Sequence, residues 1–279
     1  YATSPDGITW TKYTGNNCGG TSGNGCVLDV SSGKFDSNYA YAADVIKEGN
    51  EYKMWYTGYN GGTYNIGYAT SPDGITWTKQ NSGDPVMSAG SSGAWDDLFV
   101  GYPTVLKEGT IYKMWYSGEQ AANNFRLGYA TSTDGVTWNK YDDTSAAACG
   151  FSESNDGGCV VGLGSSGMFD ESDLEEPNIF KIENNYYLSY FGRNSSATAK
   201  IGMLTSSNGL DWTRTNDGNA VMDLGSGWDI THNTANSIIY DGNQLKMYYG
   251  GWDSANGRIG LATMQFGYGR YGKALYIGN

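Results

Sequence analysis

The sequence predicts an all-β chain folded as a β-propeller of four-stranded antiparallel blades. Three observations lead there: a long internal repeat, alternating apolar and polar residues inside it, and Gly-bearing turns between the alternating runs. A period of several tens of residues decides an architecture, so the repeat comes first. Four segments match: GKFDSNYAYAADVIKEGNEYKMWYTG from Gly33, GAWDDLFVGYPTVLKEGTIYKMWYSG from Gly93, GMFDESDLEEPNIFKIENNYYLSYFG from Gly167 and GWDITHNTANSIIYDGNQLKMYYGG from Gly227. Each begins with an aromatic–Asp pair: Phe35-Asp36, Trp95-Asp96, Phe169-Asp170 and Trp228-Asp229. The aromatics lie 60, 74 and 59 residues apart, and from each Asp eight residues lead without a gap to Asp44, Thr104, Asn178 and Ser237.

Each unit holds four strand-like runs. In the second they are PTVLKEG, IYKMWYSG, FRLGYATSTDG and VTWNKY. Tyr112, Met114 and Tyr116 alternate with Lys113 and Trp115, the period of a strand. Lys-Glu-Gly and Ser-Thr-Asp-Gly read as hairpin turns, since Gly supplies the positive φ that tight turns need. No window carries a sustained helical period. Four short strands recurring about every 60 residues describe a propeller blade; solenoid repeats are shorter and sandwiches do not repeat. Met54, Trp55 and Tyr56, with Met114, Trp115 and Tyr116, are expected to fill the space between blades. Asp36, Asp96, Asp170 and Asp229 recur in every unit and are expected to be structural, holding loop N–H groups.

The 279 residues suffice for one large all-β domain, and the abundance of Gly (42) marks it as rich in turns. A net charge of −12 argues against nucleic acid and anionic membranes, leaving neutral oligo- or polysaccharides and divalent cations as partners. No apolar run is long enough to span a bilayer. Four cysteines fall in two local pairs, each in the loop after a unit's last strand, and both second members precede Val. That equivalent placement predicts disulfides Cys18–Cys26 and Cys149–Cys159, hence an oxidising, extracellular or cell-surface setting. The neighbouring Gly, Ser and Asn offer no His for a zinc site.

Residues 1–13, YATSPDGITWTKY, copy Tyr68–Lys79 and Tyr129–Lys140, the two outer strands of a blade. Either ITWTK closes the last unit as its outer strand, or residues upstream build the inner half of a further blade; the sequence leaves both open. Residues 14–34 and 141–168 read as polar loops. Residues 267–279, GYGRYGKALYIGN, depart from the repeat and resemble the opening of a laminin-G or concanavalin-like lectin domain. This places the propeller at 1–266 and a linker, or the start of a following domain, at 267–279.

In a propeller the innermost strands meet at the axis, so the residues just before each inner strand line one mouth of the channel. Here these include Asp44 in the first unit and Tyr102 in the second. They also include Asp173, Glu175 and Glu176 in the third, and His232, the only His, in the fourth. Two carboxyl groups facing one another across a sugar are the minimum apparatus of glycoside hydrolysis, and a neighbouring carboxylate raises the pKa of the acid.

The repeat GxWD…PxVxKxGxYKMWYSG…IGYATSxDGxWxK, covering nearly the whole chain, resembles the five-bladed propeller glycosidases of glycoside hydrolase families 43, 32 and 130. The resemblance implies five blades. It also implies a general acid in Glu175-Glu176-Pro177 ahead of Tyr186-Tyr187-Leu188, where family 43 has a Glu in an E-x-P setting. It implies a pKa-tuning acid at Asp44 or Asp97, substrate contacts at Asp97, Tyr102, Asp173 and His232, and an axial calcium near His232. The family's base lies on inner strands that are missing from the front of this chain, so it has no clear counterpart here; Asp44 is carried as a catalytic candidate with Glu175 and Glu176. Asp170 to Glu176 also reads as a solvated acidic loop or a calcium site. A sialidase fits less well: SxDGxTW is one residue short of the Asp-box, and the arginines occupy no equivalent axial positions. Two functions therefore stand: a secreted propeller that hydrolyses or binds glycosides at the channel mouth, or a non-catalytic structural or adhesive module of a larger extracellular protein.

Overall fold

In the computed structural model all residues are described except 16, 19–24, 121–124, 142–148, 150–156, 241–243, 270, 271 and 279. For 235, 236, 264–269 and 272–278 the description covers the backbone alone. Much of the polar loops expected at 14–34 and 141–168 lies outside the described residues; of the segment 267–279, expected to be a linker or the start of a lectin-like domain, only the backbone of 267–269 and 272–278 is described, as strand.

Four blades follow a short hairpin, β1 (Ala2–Thr3) and β2 (Thr11–Lys12). Blade I contains β3 (Tyr39–Glu48), β4 (Glu51–Tyr59), β5 (Tyr64–Ser71) and β6 (Thr78–Lys79). Blade II contains β7 (Phe99–Glu108), β8 (Ile111–Glu119), β9 (Arg126–Ser132) and β10 (Asn139–Lys140); β11 (Cys159–Val161) adds to β9. Blade III contains β12 (Asp173–Ile182), β13 (Asn185–Arg193), β14 (Ala199–Ser206) and β15 (Thr213–Arg214). Blade IV contains β16 (His232–Tyr240), β17 (Gln244–Trp252), β18 (Gly257–Gly269) and β19 (Gly272–Gly278). Strands within a blade run antiparallel in chain order. Single parallel pairs, Tyr64 with Phe99 and Ala199 with His232, join blade I to II and blade III to IV.

Alternation along β8 does not separate a wet face from a dry one. Met114 and Trp115, on opposite faces, are both fully buried, because blade II is pressed between blades I and III. The Trp on the second strands of blades I and II latches onto the next blade. Trp55 Nε1 donates to the Gly135 carbonyl at 2.8 Å and Trp115 Nε1 to the Gly209 carbonyl at 2.9 Å. The receiving turn is the Ser-x-Asp-Gly motif. Ser132 Oγ accepts the Gly135 N–H at 2.8 Å, and Asp134 Oδ1 accepts the N–H groups of Val136 and Thr137 at 2.8 and 2.7 Å. Gly135 has φ +79°, and a Cβ there would come within 3.0 Å of the Trp55 ring, so both the turn and the latch need Gly.

The four repeated Asp residues are structural, but their partners differ from the loop N–H groups expected. Asp36, Asp96 and Asp170 are buried against the hydroxyls of Tyr56, Tyr116 and Tyr190, at 2.9, 3.3 and 2.9 Å. Lys79, Lys140 and Arg214 from the outer strands neutralise them. Burying a carboxylate is tolerable only with such a partner. The neighbours one residue on hold the loops instead: Asp97 Oδ2 accepts the Gly93 N–H and Glu171 Oε2 the Gly167 N–H, each at 2.6 Å. Disulfides join Cys18 to Cys26 and Cys149 to Cys159.

The hairpin β1–β2 forms its own two-stranded sheet and does not pair with blade IV, whose β18 carries β19 instead. It repeats the latch, however. Tyr248 Oη donates to the Gly7 carbonyl at 3.0 Å. Trp10 meets the Tyr248 ring edge-on at 5.8 Å, as Trp138 meets Trp55 at 6.0 Å and Trp212 meets Trp115 at 6.3 Å. The faces of blades I and IV that look toward one another remain open. Val45 is 43% exposed where its counterparts Val105 and Ile179 are 2% and 7%, and Ile239 is 51% exposed where Phe180 is 7%.

Candidate active site

The inner strands stand side by side, β3 next to β7, β7 next to β12, and β12 next to β16. Each is interrupted near its start by a bulge: the register slips between Tyr41 and Asp44, Gly101 and Thr104, Glu175 and Asn178, and Thr234 and Asn236. Inside the first three bulges Ala42, Tyr102 and Glu176 take positive φ of 47°, 48° and 54°. A non-Gly residue held there costs about 1–3 kcal/mol, a strain typical of functional sites. Neighbouring blades hold the geometry. The Tyr102 N–H donates to Thr57 Oγ1 at 2.8 Å, and the Glu176 N–H to Ser117 Oγ at 3.0 Å.

The bulges turn side chains from all four blades into one central cavity of ≈ 380 Å³, lined among others by Asp44, Tyr102, Glu176, Asn178, Ser237 and Trp252. In blades I to III the residue at which pairing resumes after the bulge is an inter-blade staple. Asp44 Oδ2 accepts the Val105 N–H at 2.6 Å, Thr104 Oγ1 the Ile179 N–H at 3.1 Å, and Asn178 Oδ1 the Ile238 N–H at 2.9 Å. Asp44 is the carboxylate of that series. Burial pushes it up to about 6, against the N–H bonds from Val105 and Val45, which favour ionisation.

Blade III supplies the acids. Glu175 is half-buried, and desolvation, then Glu176 and Asp173, push its carboxyl well above the ordinary range, while Arg193 pulls the other way. Like charges crowded in a poorly solvated place favour a shared proton. Tyr41 and Tyr102 meet edge-on at 5.8 Å across blades I and II, and both hydroxyls are pushed up, first by burial, so they remain hydrogen-bond donors. Glu175 and Glu176 act electrostatically on both.

The remaining candidates fall into two places. Asp173 is fully buried at the head of β12, where Arg193 Nε donates to its Oδ2 at 2.6 Å. The His232 ring lies flat on Trp252, 4.8 Å between centroids, and its Nδ1 faces Thr231 Oγ1 at 3.2 Å. Asp97, spent on Gly93, does not line the cavity. The acids from Asp170 to Asp173 go to separate partners (Tyr190 and Arg214, Gly167 and Ser195, Arg193) rather than converging on a cation. Among the described residues no group of three or more His, Cys, Asp or Glu is gathered to hold a metal. No such group surrounds His232 among the described residues. Comparison of inner-strand starts overlooked Tyr41, Arg193, Glu119 and Trp252. Aligning the ends of the second strands (Tyr59, Glu119, Arg193, Trp252) exposes the last three.

No family model matches the chain. Two uncharacterised proteins of Mycobacterium tuberculosis are 30% identical to it over 155 residues, 53% of this chain and 44% of each relative. The chain thus spans less than half the length of the curated relatives it matches. Among solved structures, one described as a glycoside hydrolase superposes with a TM-score of 0.72 at 17% identity, covering 94% of this chain and 76% of the other. The fold is that of the propeller glycoside hydrolases. A family 117 glycoside hydrolase of the marine bacterium Zobellia galactanivorans gives 0.61 at 14% identity, covering 86% of this chain and 69% of its own. A structure from family 130, mannoside phosphorylases that include hydrolases of β-1,2 mannosidic linkages in Candida mannan, gives 0.60 at 19%, covering 83% and 68%. Among the described residues no helix is long and apolar enough to cross a membrane.

Proposed function

We propose that the chain is a secreted carbohydrate-active propeller that hydrolyses glycosidic bonds of an oligo- or polysaccharide in the central cavity. One observation carries this. A half-buried glutamate displaced toward the neutral acid, Glu175, adjoins a strained, cavity-lining glutamate, Glu176, and a further half-buried carboxylate, Asp44, reaches the cavity from another blade. In this reading the Glu175–Glu176 pair donates a proton to the departing glycosidic oxygen, and Asp44 accepts one from water on the opposite side. Tyr41, Tyr102 and Trp252 provide flat walls for a sugar ring. The two disulfides suit an oxidising compartment. The open faces at Val45 and Ile239, with β1–β2 latched to Tyr248, suit a fifth blade whose outer half is β1–β2 and whose inner strands would seat between blades IV and I.

The test is release of chromophore from a panel of aryl arabinosides, xylosides, fructosides and mannosides. Glu176→Gln and Glu175→Gln are each expected to lower kcat/KM by about 100-fold or more, the contribution of a positioned acid. Turnover unaffected by either change would refute the assignment. The other reading, a non-catalytic binding or structural module, is favoured by the staple role of Asp44, which Thr104 and Asn178 share without a carboxylate. Glycan binding with no hydrolysis of any substrate would select it.

A further inference from the structure

Only blade III carries both an acid pair at its bulge and an ion pair above it. Asp173 stands across from Arg193 in the β12–β13 register, and Glu175 across from Phe191. The same cross-strand place holds Tyr39 with Tyr59, Phe99 with Glu119, and His232 with Trp252 in the other blades. Asp173 and Glu175 are two apart in an extended segment, so they share a face of β12. The Asp173 carboxylate is fully buried; Oδ2 takes both Nε and an Nη of Arg193, and Oδ1 accepts the Phe125 N–H at 3.2 Å. The charged and titratable groups facing Glu175 are Glu176 and Asp173 on its own strand, Arg193 from β13, Glu119 from the end of β8, and Tyr41 and Tyr102 from blades I and II.

We propose that the Asp173–Arg193 ion pair is a positioning element for Glu175: Asp173 occupies a guanidinium that would otherwise settle on Glu175 and hold it as a carboxylate. A guanidinium locked to a buried carboxylate presents little net charge to its surroundings. Released, it favours ionisation of any carboxyl within about 4–6 Å by one to three pH units. The balance of influences on Glu175 agrees, since burial, Glu176, Asp173 and Glu119 oppose its ionisation while Arg193 favours it. This inference rests on the reading of Glu175 and Glu176 as the acid, but its test does not need activity.

The experiment follows Glu175 directly, by 13C NMR titration of glutamate-labelled protein with the signal assigned through Glu175→Gln, beside the pH profile of glycoside cleavage. Asp173→Asn is expected to lower the Glu175 midpoint at least about tenfold in ionisation constant and to move the alkaline limb of kcat/KM with it. Asp173→Asn/Arg193→Gln, lacking both charges, is expected to restore the wild-type midpoint. A midpoint that does not move in folded Asp173→Asn overturns the proposal. Should that variant not fold, a double-variant midpoint displaced from wild type does so. If no glycoside is cleaved, the NMR titration still decides this inference, and the failure belongs to the proposed function alone.

Discussion

Asp44→Asn separates the two roles that converge on one side chain. Asn178 already shows that an amide can act as the staple, its Oδ1 accepting the Ile238 N–H at 2.9 Å as Asp44 accepts that of Val105 at 2.6 Å. The substitution therefore keeps the inter-blade bond and removes the charge. A carboxyl displaced from 3.8 to about 6 by folding makes the folded state bind its proton more tightly than the unfolded chain does. Its stabilising contribution is complete below about pH 4 and is lost as pH rises through about 6. The full displacement corresponds to about 3 kcal/mol, and for a half-buried group about 1–3 kcal/mol is the expected range. Urea denaturation at several pH values between 4 and 7.5 should show the wild type losing that amount relative to Asp44→Asn, with the variant equal or more stable at the upper end. The same variant should abolish glycoside cleavage if Asp44 is the base, with its fold intact. Parallel pH profiles for the two proteins would refute the assignment of this ionisation to Asp44.

Glu108 gathers Lys113, Lys181 and Tyr186 at the boundary of blades II and III. Burial opposes its ionisation, but these donors outweigh burial and hold the carboxyl down at about 2. Glu108→Gln should cost up to about 1 kcal/mol at pH 7 in urea denaturation, a deficit that closes as pH falls from about 4.5 toward 2. Trp115→Ala, which empties a fully buried site and breaks the latch to Gly209, should destabilise by about 3–5 kcal/mol, read as a lowered urea midpoint. Removing the Cys149–Cys159 disulfide by double substitution to Ser should cost about 2–3 kcal/mol in the same assay; an unchanged midpoint would show that the loop is not constraining the unfolded chain.

Much of the architecture was legible because it is local and repeated. The aromatic–Asp pairs, the hairpin turns and the eight-residue spacing to Asp44, Thr104, Asn178 and Ser237 are all short-range features, and each recurs with the same geometry. The disulfides followed from equivalent places in the repeat, and Glu175-Glu176-Pro177 stood out by departing from it. Arg193 and Glu119 were not legible in that way. They sit at the far ends of second strands, and their meeting with first-strand residues depends on a register that slips at the bulge. Asp97 came from the family resemblance alone, and its carboxylate accepts the Gly93 N–H in the turn before blade II.

The amino-acid sequence alone determined the blade, since a strand–turn–strand unit is specified by residues within about 60 positions of one another. What only the tertiary structure decided is the protonation of the acids. Proton affinity is set by lost solvation and by charges brought close in space. For Glu175 those come from Glu119, Glu176, Asp173 and Arg193, drawn from two blades and far from adjacent in the chain.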